Sequence, residues 1–257
     1  MKNTSLTTPL IVYWSPFTTV QNQYNQVLLD LKPISFRSYV VNNKAIDPKI
    51  PTPNPKTPYP LENNGYHTCS AMHELAKNTF IIKAPFSAEI HLDDNGSIKD
   101  SYFSGWFIPR IGSFNNSFCV DFDLPYLFFS EEEVNMQLTP PYMTKTLQQE
   151  YGFPAAVEFD ISQWFRPLII TYQLWEEVNS FKIKENEPLI YITFDTNRPI
   201  ILKQFNLTEN LVNQATACMR YKRIRPFEPL KSLYSTFKAT KMNQLILKEI
   251  KDNLIDL

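Results

Sequence analysis

Glycine is nearly missing from this chain, with five residues in 257. Loops that cradle phosphate need glycine, because backbone amides must approach the ligand with no Cβ in the way. Gly65, Gly96, Gly105, Gly112 and Gly152 build neither G-x-G-x-x-G nor the P-loop pattern, which argues against the common nucleotide-binding enzymes. Histidine is as scarce. His67, His73 and His91 fall within 25 residues and there is no G-x-S-x-G, so a nucleophile would have few bases to draw on. Cys69, Cys119 and Cys218 are odd in number and far apart, which predicts reduced thiols rather than a disulfide framework. No apolar run approaches the roughly 20 residues of a spanning helix, and MKNTSLTTPLIVYW lacks the apolar stretch of a secretory signal. The expectation is a soluble product with no membrane role. Charge of one sign is missing too: 25 basic against 26 acidic residues give no global bias towards nucleic acid.

What is present is apolar and aromatic. A hydrophobic fraction of 43% with 14% aromatics suits a folded protein with a sizeable core. Val20, Tyr24, Val27, Leu28 and Leu31 share one helical face and Pro33 follows, so an N-terminal helix is predicted over 17–32, with FRSYVV (36–41) as a strand after it. Residues 47–60, DPKIPTPNPKTPYP, hold six prolines and predict an extended arm, laid over the chain's own surface or offered to a partner. From 78 to 205 the chain reads as strand after strand with little helix between. AEIHLD and SIKDSYF flank Asp94-Asn95-Gly96, the signature of a two-residue type I′ hairpin. SGWFIPRIGSF (104–114) reads as a loop. The period then changes: Leu211, Ala215, Cys218 and Met219, then Leu230, Leu233, Tyr234 and Phe237, then Leu245, Ile246 and Ile250 predict a helical region over 208–255. Together these predict a single α+β domain, an antiparallel β-sandwich or jelly-roll-like core with helices at both ends.

Three constellations carry possible chemistry. His67, Cys69 and His73, with His91 elsewhere, offer nitrogen and sulfur ligands for zinc or iron, although H-x-C-x-x-x-H matches no zinc finger and no HExxH helix. His91-Leu92-Asp93 has the H-x-D half of a facial iron triad, yet no histidine follows it. A buried Cys69 beside hydrogen-bonded histidines needs no ligand at all. Carboxylates such as Glu131, Glu132, Glu133, Glu150, Glu158, Asp160, Glu176 and Glu177 are plentiful, but a single sequence cannot pair them for glycosidase work. The charge distribution says more. Between Arg220 and Lys251 stand nine basic residues against Glu228 and Glu249, an excess of seven. Arg220, Lys222, Arg223 and Arg225 in MRYKRIRPF interleave with aromatics, as anion- or partner-binding stripes do, nucleic acid included. Trp164 and Arg166 end a strand and read as a core corner; with Trp106, Phe107 and Arg110 they also have the composition of an interface.

KNTFIIKAPF (77–86) and FDISQWFRP (159–167) resemble segments of an uncharacterised protein family of T4-like phages of marine bacteria, over about residues 65–205. Where Cys-Pro-Ala stands in that family this chain has Cys69-Ser70-Ala71. The resemblance implies a phage protein found in the host cytoplasm or the virion, and it carries no activity with it. The sequence is therefore read as a non-enzymatic phage protein with no cofactor, structural or host-interacting. Its Pro-rich arm and basic C-terminal helices would contact a protein partner or another copy. The alternative is a metal-dependent or small-molecule-processing enzyme built on His67, Cys69, His73 and His91.

Overall fold

Phe118–Ser130, FCVDFDLPYLFFS, is one strand despite Pro125 within it, and it organises the largest sheet. The computed structural model describes residues 8–17, 32–36, 77–99, 107–111, 118–142 and 144–255. The predicted N-terminal helix, the proline-rich arm and the YHTCSAMH stretch (66–73) lie outside the described residues, apart from the first and last residues of the predicted helix. Among the described residues the strands are β1 (Leu10–Pro16), β2 (Ile34–Ser35), β3 (Thr79–Lys83), β4 (Ala88–His91), β5 (Phe107–Ile111), β6 (Phe118–Ser130), β7 (Asn135–Thr139), β8 (Gly152–Pro154), β9 (Val157–Asp160), β10 (Pro167–Leu174), β11 (Ser180–Ile183), β12 (Pro188–Phe194) and β13 (Ile200–Gln204). The helices α1 (Glu209–Ile224), α2 (Leu230–Ala239) and α3 (Met242–Asp252) follow, which makes the class α+β with most of the structure in sheet.

The six-stranded sheet runs β13-β1-β6-β10-β8. One edge of β6 is shared: β1 pairs with 126–130 and β5 with 118–122. Pro125, which has no N–H to give a ladder, falls in the gap between them. On the opposite edge it falls in a bulge, where the register jumps between Pro167 and Leu168. A five-stranded sheet, β2-β3-β12-β7-β9, and the two-stranded β11-β4 complete the β structure, and all the sheets are open. Among the described residues every pairing is antiparallel except β1 with β13, which is parallel and departs from the all-antiparallel expectation.

Alternation decides which faces are dry. Leu168, Ile170, Tyr172 and Leu174 of β10, with Leu10, Val12 and Trp14 of β1, point into a core shared with Ile82, Met136, Leu138, Ile190, Ile192 and Phe194 of the five-stranded sheet and Ile90, Phe181 and Ile183 of the small one. The opposite face of β1 and β6 carries Tyr13, Leu127 and Phe129, which meet Leu211, Ala215 and Cys218 of α1, Leu233 and Phe237 of α2, and Ile246 and Ile250 of α3. This explains the unbroken apolar run LIVYW: β1 is covered on both faces, so it does not alternate. The two strands β1 and β2 precede the expected start of the β region at 78.

Two local expectations are corrected. Asp94 and Asn95 both avoid positive φ and only Gly96 adopts it, at 76°. The Gly96 N–H donates to Asp93 O at 2.8 Å, and Asp93 Oδ1 accepts the N–H groups of Asn95 and Ser97 at 2.9 and 2.8 Å. This is a type I turn closed by a left-handed glycine, not a type I′ turn, because the Asp93 side chain satisfies the amides that turn leaves open. It joins a single bridge, Leu92 with Ile98, while β4 takes β11 as its partner. SGWFIPRIGSF is not all loop either: its middle is β5, since the free edge of β6 offers a ladder.

Asn78 fastens the two large sheets together. It adopts φ 59°, a conformation asparagine tolerates. Its amide donates to Thr196 O and Arg198 O, both at 2.8 Å, and its Oδ1 accepts the Ile200 N–H at 3.1 Å. Arg198 completes the junction with a two-pronged ion pair to Glu132 at 2.6 and 3.0 Å and bonds to Thr8 O and Pro9 O.

Candidate contact surface on the C-terminal helices

Thr208 opens α1 by accepting the Leu211 N–H at 3.2 Å, and the helix stops at Ile224 because Pro226 disfavours helical geometry at Arg225. Pro229 then sets the entry to α2, so residues 225–229 form a connector bounded by two prolines. Its shape is fixed from inside. Lys222 Nζ donates to Pro226 O at 3.0 Å and Glu228 O at 3.1 Å. Arg225 reaches Glu228 at 3.2 Å and lies 5.0 Å from the Tyr221 ring centroid. Ser232 donates to the other Glu228 oxygen at 2.5 Å. The Ser232 hydroxyl and then Arg225 hold the Glu228 carboxyl below its usual range, and Glu228 raises Arg225 in return.

The pinned connector holds Phe227 outward at 96% exposure, beside Ile224 at 78%. Arg220 and Arg223, on the last turns of α1, are exposed, and their guanidiniums make no hydrogen bond or ion pair among the described residues. The four cations singled out in the sequence therefore divide. Lys222 and Arg225 spend their charge holding the connector, and Arg220 and Arg223 keep theirs for solvent. The result is an apolar knob flanked by two free guanidiniums, a chemistry suited to an apolar pocket with an acidic rim. The sequence located the cations and Phe227, set between two prolines, as parts of one stripe, and missed Ile224 as the exposed apolar neighbour of Phe227.

The other candidates fall elsewhere. His67, Cys69, His73 and Trp106 lie outside the described residues. His91 is on the outward face of β4 with its side chain 54% exposed, 3.0 Å from Glu89, which also takes Lys182 at 2.7 Å from its cross-strand position. No group of three His, Cys, Asp or Glu side chains among the described residues is placed to hold a metal. Phe107 and Arg110 are on β5. Trp164, an interface candidate by composition, is core. It is 5% exposed and packs on Phe237 and Tyr221, with centroids 5.9 and 6.4 Å away, because the three helices close over it. Arg166 lies near it, over the Phe159 ring at 5.5 Å.

Several of the carboxylates considered for glycosidase work are structural. Glu131 pairs with Lys251 of α3 at 2.7 Å, Glu132 with Arg198, and Glu158 accepts the amides of Asn135 and Gln137 at 2.7 and 2.9 Å. No helix among the described residues is long and apolar enough to cross a membrane. No protein-family model, curated protein or solved structure matches the chain.

Proposed function

We propose that this chain is a non-enzymatic contact protein, structural or host-interacting, that docks a protein partner or a second copy of itself through the α1–α2 connector. Phage origin is part of the proposal and rests on the resemblance of KNTFIIKAPF and FDISQWFRP alone. The observation that carries the docking reading is Phe227, fully presented by a connector whose polar groups are internally satisfied. Leaving a phenylalanine in water forgoes about 2 kcal/mol of burial, and an interface is where that term is recovered. Nucleic acid is the less favoured partner, since Lys222 and Arg225 are already engaged and Glu228 sits among the cations. In the finer architecture, the core shared by the six- and five-stranded sheets supports a sandwich, jelly-roll-like in outline, with helices on its outer face.

The test places a photo-crosslinking residue at 227 in the full chain. A discrete adduct is expected, either of twice the chain mass or with one host or virion protein. Arg220→Glu with Arg223→Glu should remove it while thermal unfolding stays unchanged. A chain that remains monomeric across salt and concentration, and that forms no discrete adduct in producing cells, contradicts the reading.

A further inference from the structure

Two more exposed aromatic rings meet at the far end of β10 from the connector. Phe153 of β8 and Trp175, the residue after β10, are 38% and 46% exposed, and their centroids stand 5.2 Å apart. Single exposed apolar side chains are ordinary, but two large rings in mutual contact that both face water form a patch. The patch is firmly held. Phe153 pairs with Gln173 in the β8–β10 ladder, the Trp175 backbone N–H donates to Tyr151 O at 2.9 Å, and its indole N–H donates to Gln149 O at 3.1 Å. With its one side-chain donor spent, the indole offers apolar surface.

The rim of this patch is acidic. Trp175 O accepts the Val178 N–H at 3.1 Å and closes a turn whose central residues are Glu176 and Glu177. Both are exposed, and neither carboxylate makes a hydrogen bond or ion pair among the described residues. Cations on the flanking segments do not neutralise them, since Lys145 is engaged with Glu150 at 3.1 Å and Lys182 with Glu89 at 2.7 Å. Two rings with two free carboxylates are the complement of the connector, where Phe227 and Ile224 project beside the guanidiniums of Arg220 and Arg223. Within one chain the fold keeps them apart. Tyr221 of α1 packs on Trp164, which precedes β10, whereas Trp175 follows it, and eight residues of strand span about 26 Å.

We infer that Phe153, Trp175, Glu176 and Glu177 are the docking site for the connector of a second copy of this chain. The inference rests on the docking reading and narrows it from any partner to a copy. The two patches differ, so the contact is head-to-tail and each copy keeps one patch free, which propagates a ring or a filament instead of stopping at a two-fold dimer. The rings supply apolar area and the Arg–Glu pairs set the register. The patch is small beside the roughly 800 Å² per partner of a stable complex, so dissociation near about 0.1 mM is expected.

Sedimentation of the purified full chain from about 10 μM to about 1 mM, with a photo-crosslinking residue at 227 as a second readout, tests it. Mass should rise with concentration and fall with added salt, and the self-adduct should map to a peptide holding Phe153 or Trp175. Glu176→Arg with Glu177→Arg should weaken association about tenfold or more with thermal unfolding unchanged, and adding Arg220→Glu and Arg223→Glu to the same chain should restore it. Phe227→Ala and Trp175→Ala chains should each stay monomeric alone, yet form a dimer and nothing larger when mixed. Should Trp175→Ala fail to fold, the surface pair Glu176→Arg and Glu177→Arg replaces it in the mixture. A chain that stays monomeric throughout, a self-adduct mapping to another peptide, or association indifferent to both charge reversals overturns the inference. An adduct at 227 with a different protein and none with itself overturns this inference and leaves the docking reading standing, whereas no adduct of either kind overturns both.

Discussion

Cys218 should make the stability of this protein fall as pH rises from about 9 to about 11. The thiol is buried where α1 meets Trp164 and Phe165, and burial pushes its pKa up from 9.0 to about 11, against smaller opposing effects from the Phe165 N–H and Arg166. The folded-state value is the raised one. The contribution is therefore fully present below pH 9, and it is lost as pH rises, since the unfolded chain releases its proton about two pH units earlier. At pH 10 the loss relative to pH 7 is about 1 kcal/mol, and above pH 11 it approaches about 3 kcal/mol. Other groups also titrate there, so the measurement is a difference. Urea unfolding of the unaltered chain and of Cys218→Ala is followed from pH 7 to 10, and the two stabilities should converge by that amount. Peptide-resolved alkylation gives a second reading. At pH 8 the folded thiolate fraction is about a hundredth of the unfolded one, so Cys218 should react about a hundredfold more slowly than in urea. Parallel stability curves for the two proteins, or equal alkylation rates in the folded and unfolded chain, would refute the desolvation argument.

Asn78→Ala removes three hydrogen bonds and leaves alanine in a left-handed conformation, so a loss of about 3 kcal/mol in chemical unfolding is expected. Asn78→Gly, which keeps the backbone geometry, should recover only the strain portion, and an Asn78→Ala protein of unchanged stability would show that the sheets are joined by packing alone. A Cβ at Gly152 would sit 2.2 Å from Gln173 O and 2.8 Å from Leu174 Cα, both backbone atoms that cannot swing aside. Gly152→Ala should therefore cost about 1–3 kcal/mol and speed amide exchange at Ala155 and Trp175, which bond across β8 and β10, and unchanged exchange there would count against the clash.

The helical period over 208–255 came through because it is local. Leu211, Ala215 and Cys218, then Leu233 and Phe237, then Ile246 and Ile250 recur on one face of three helices and are the residues buried. Much of the β core, though not β5, which reads as loop, was legible for the same reason, as was the division of the class into sheet and helix. β1 was not, because a strand buried on both faces has no alternation to read, and the parallel partner that covers its edge, β13, lies nearly 190 residues away. The turn at Asp93–Gly96 was found but mistyped, since Asn-Gly predicts backbone geometry while the Asp93 carboxylate, a side-chain contact, selected another.

Function followed the same division. Residue order by itself placed a basic, aromatic stripe at 220–227 and marked Trp164 and Arg166 as aromatic and cationic neighbours. It could not tell core from surface among them, because cores and interfaces share that composition. Only tertiary packing put Trp164 under the helices, committed Lys222 and Arg225 to the connector, and left Phe227 in solvent. Charge and apolarity are properties of a residue and can be read in order along a chain. Whether either is satisfied depends on what residues distant in sequence bring alongside it.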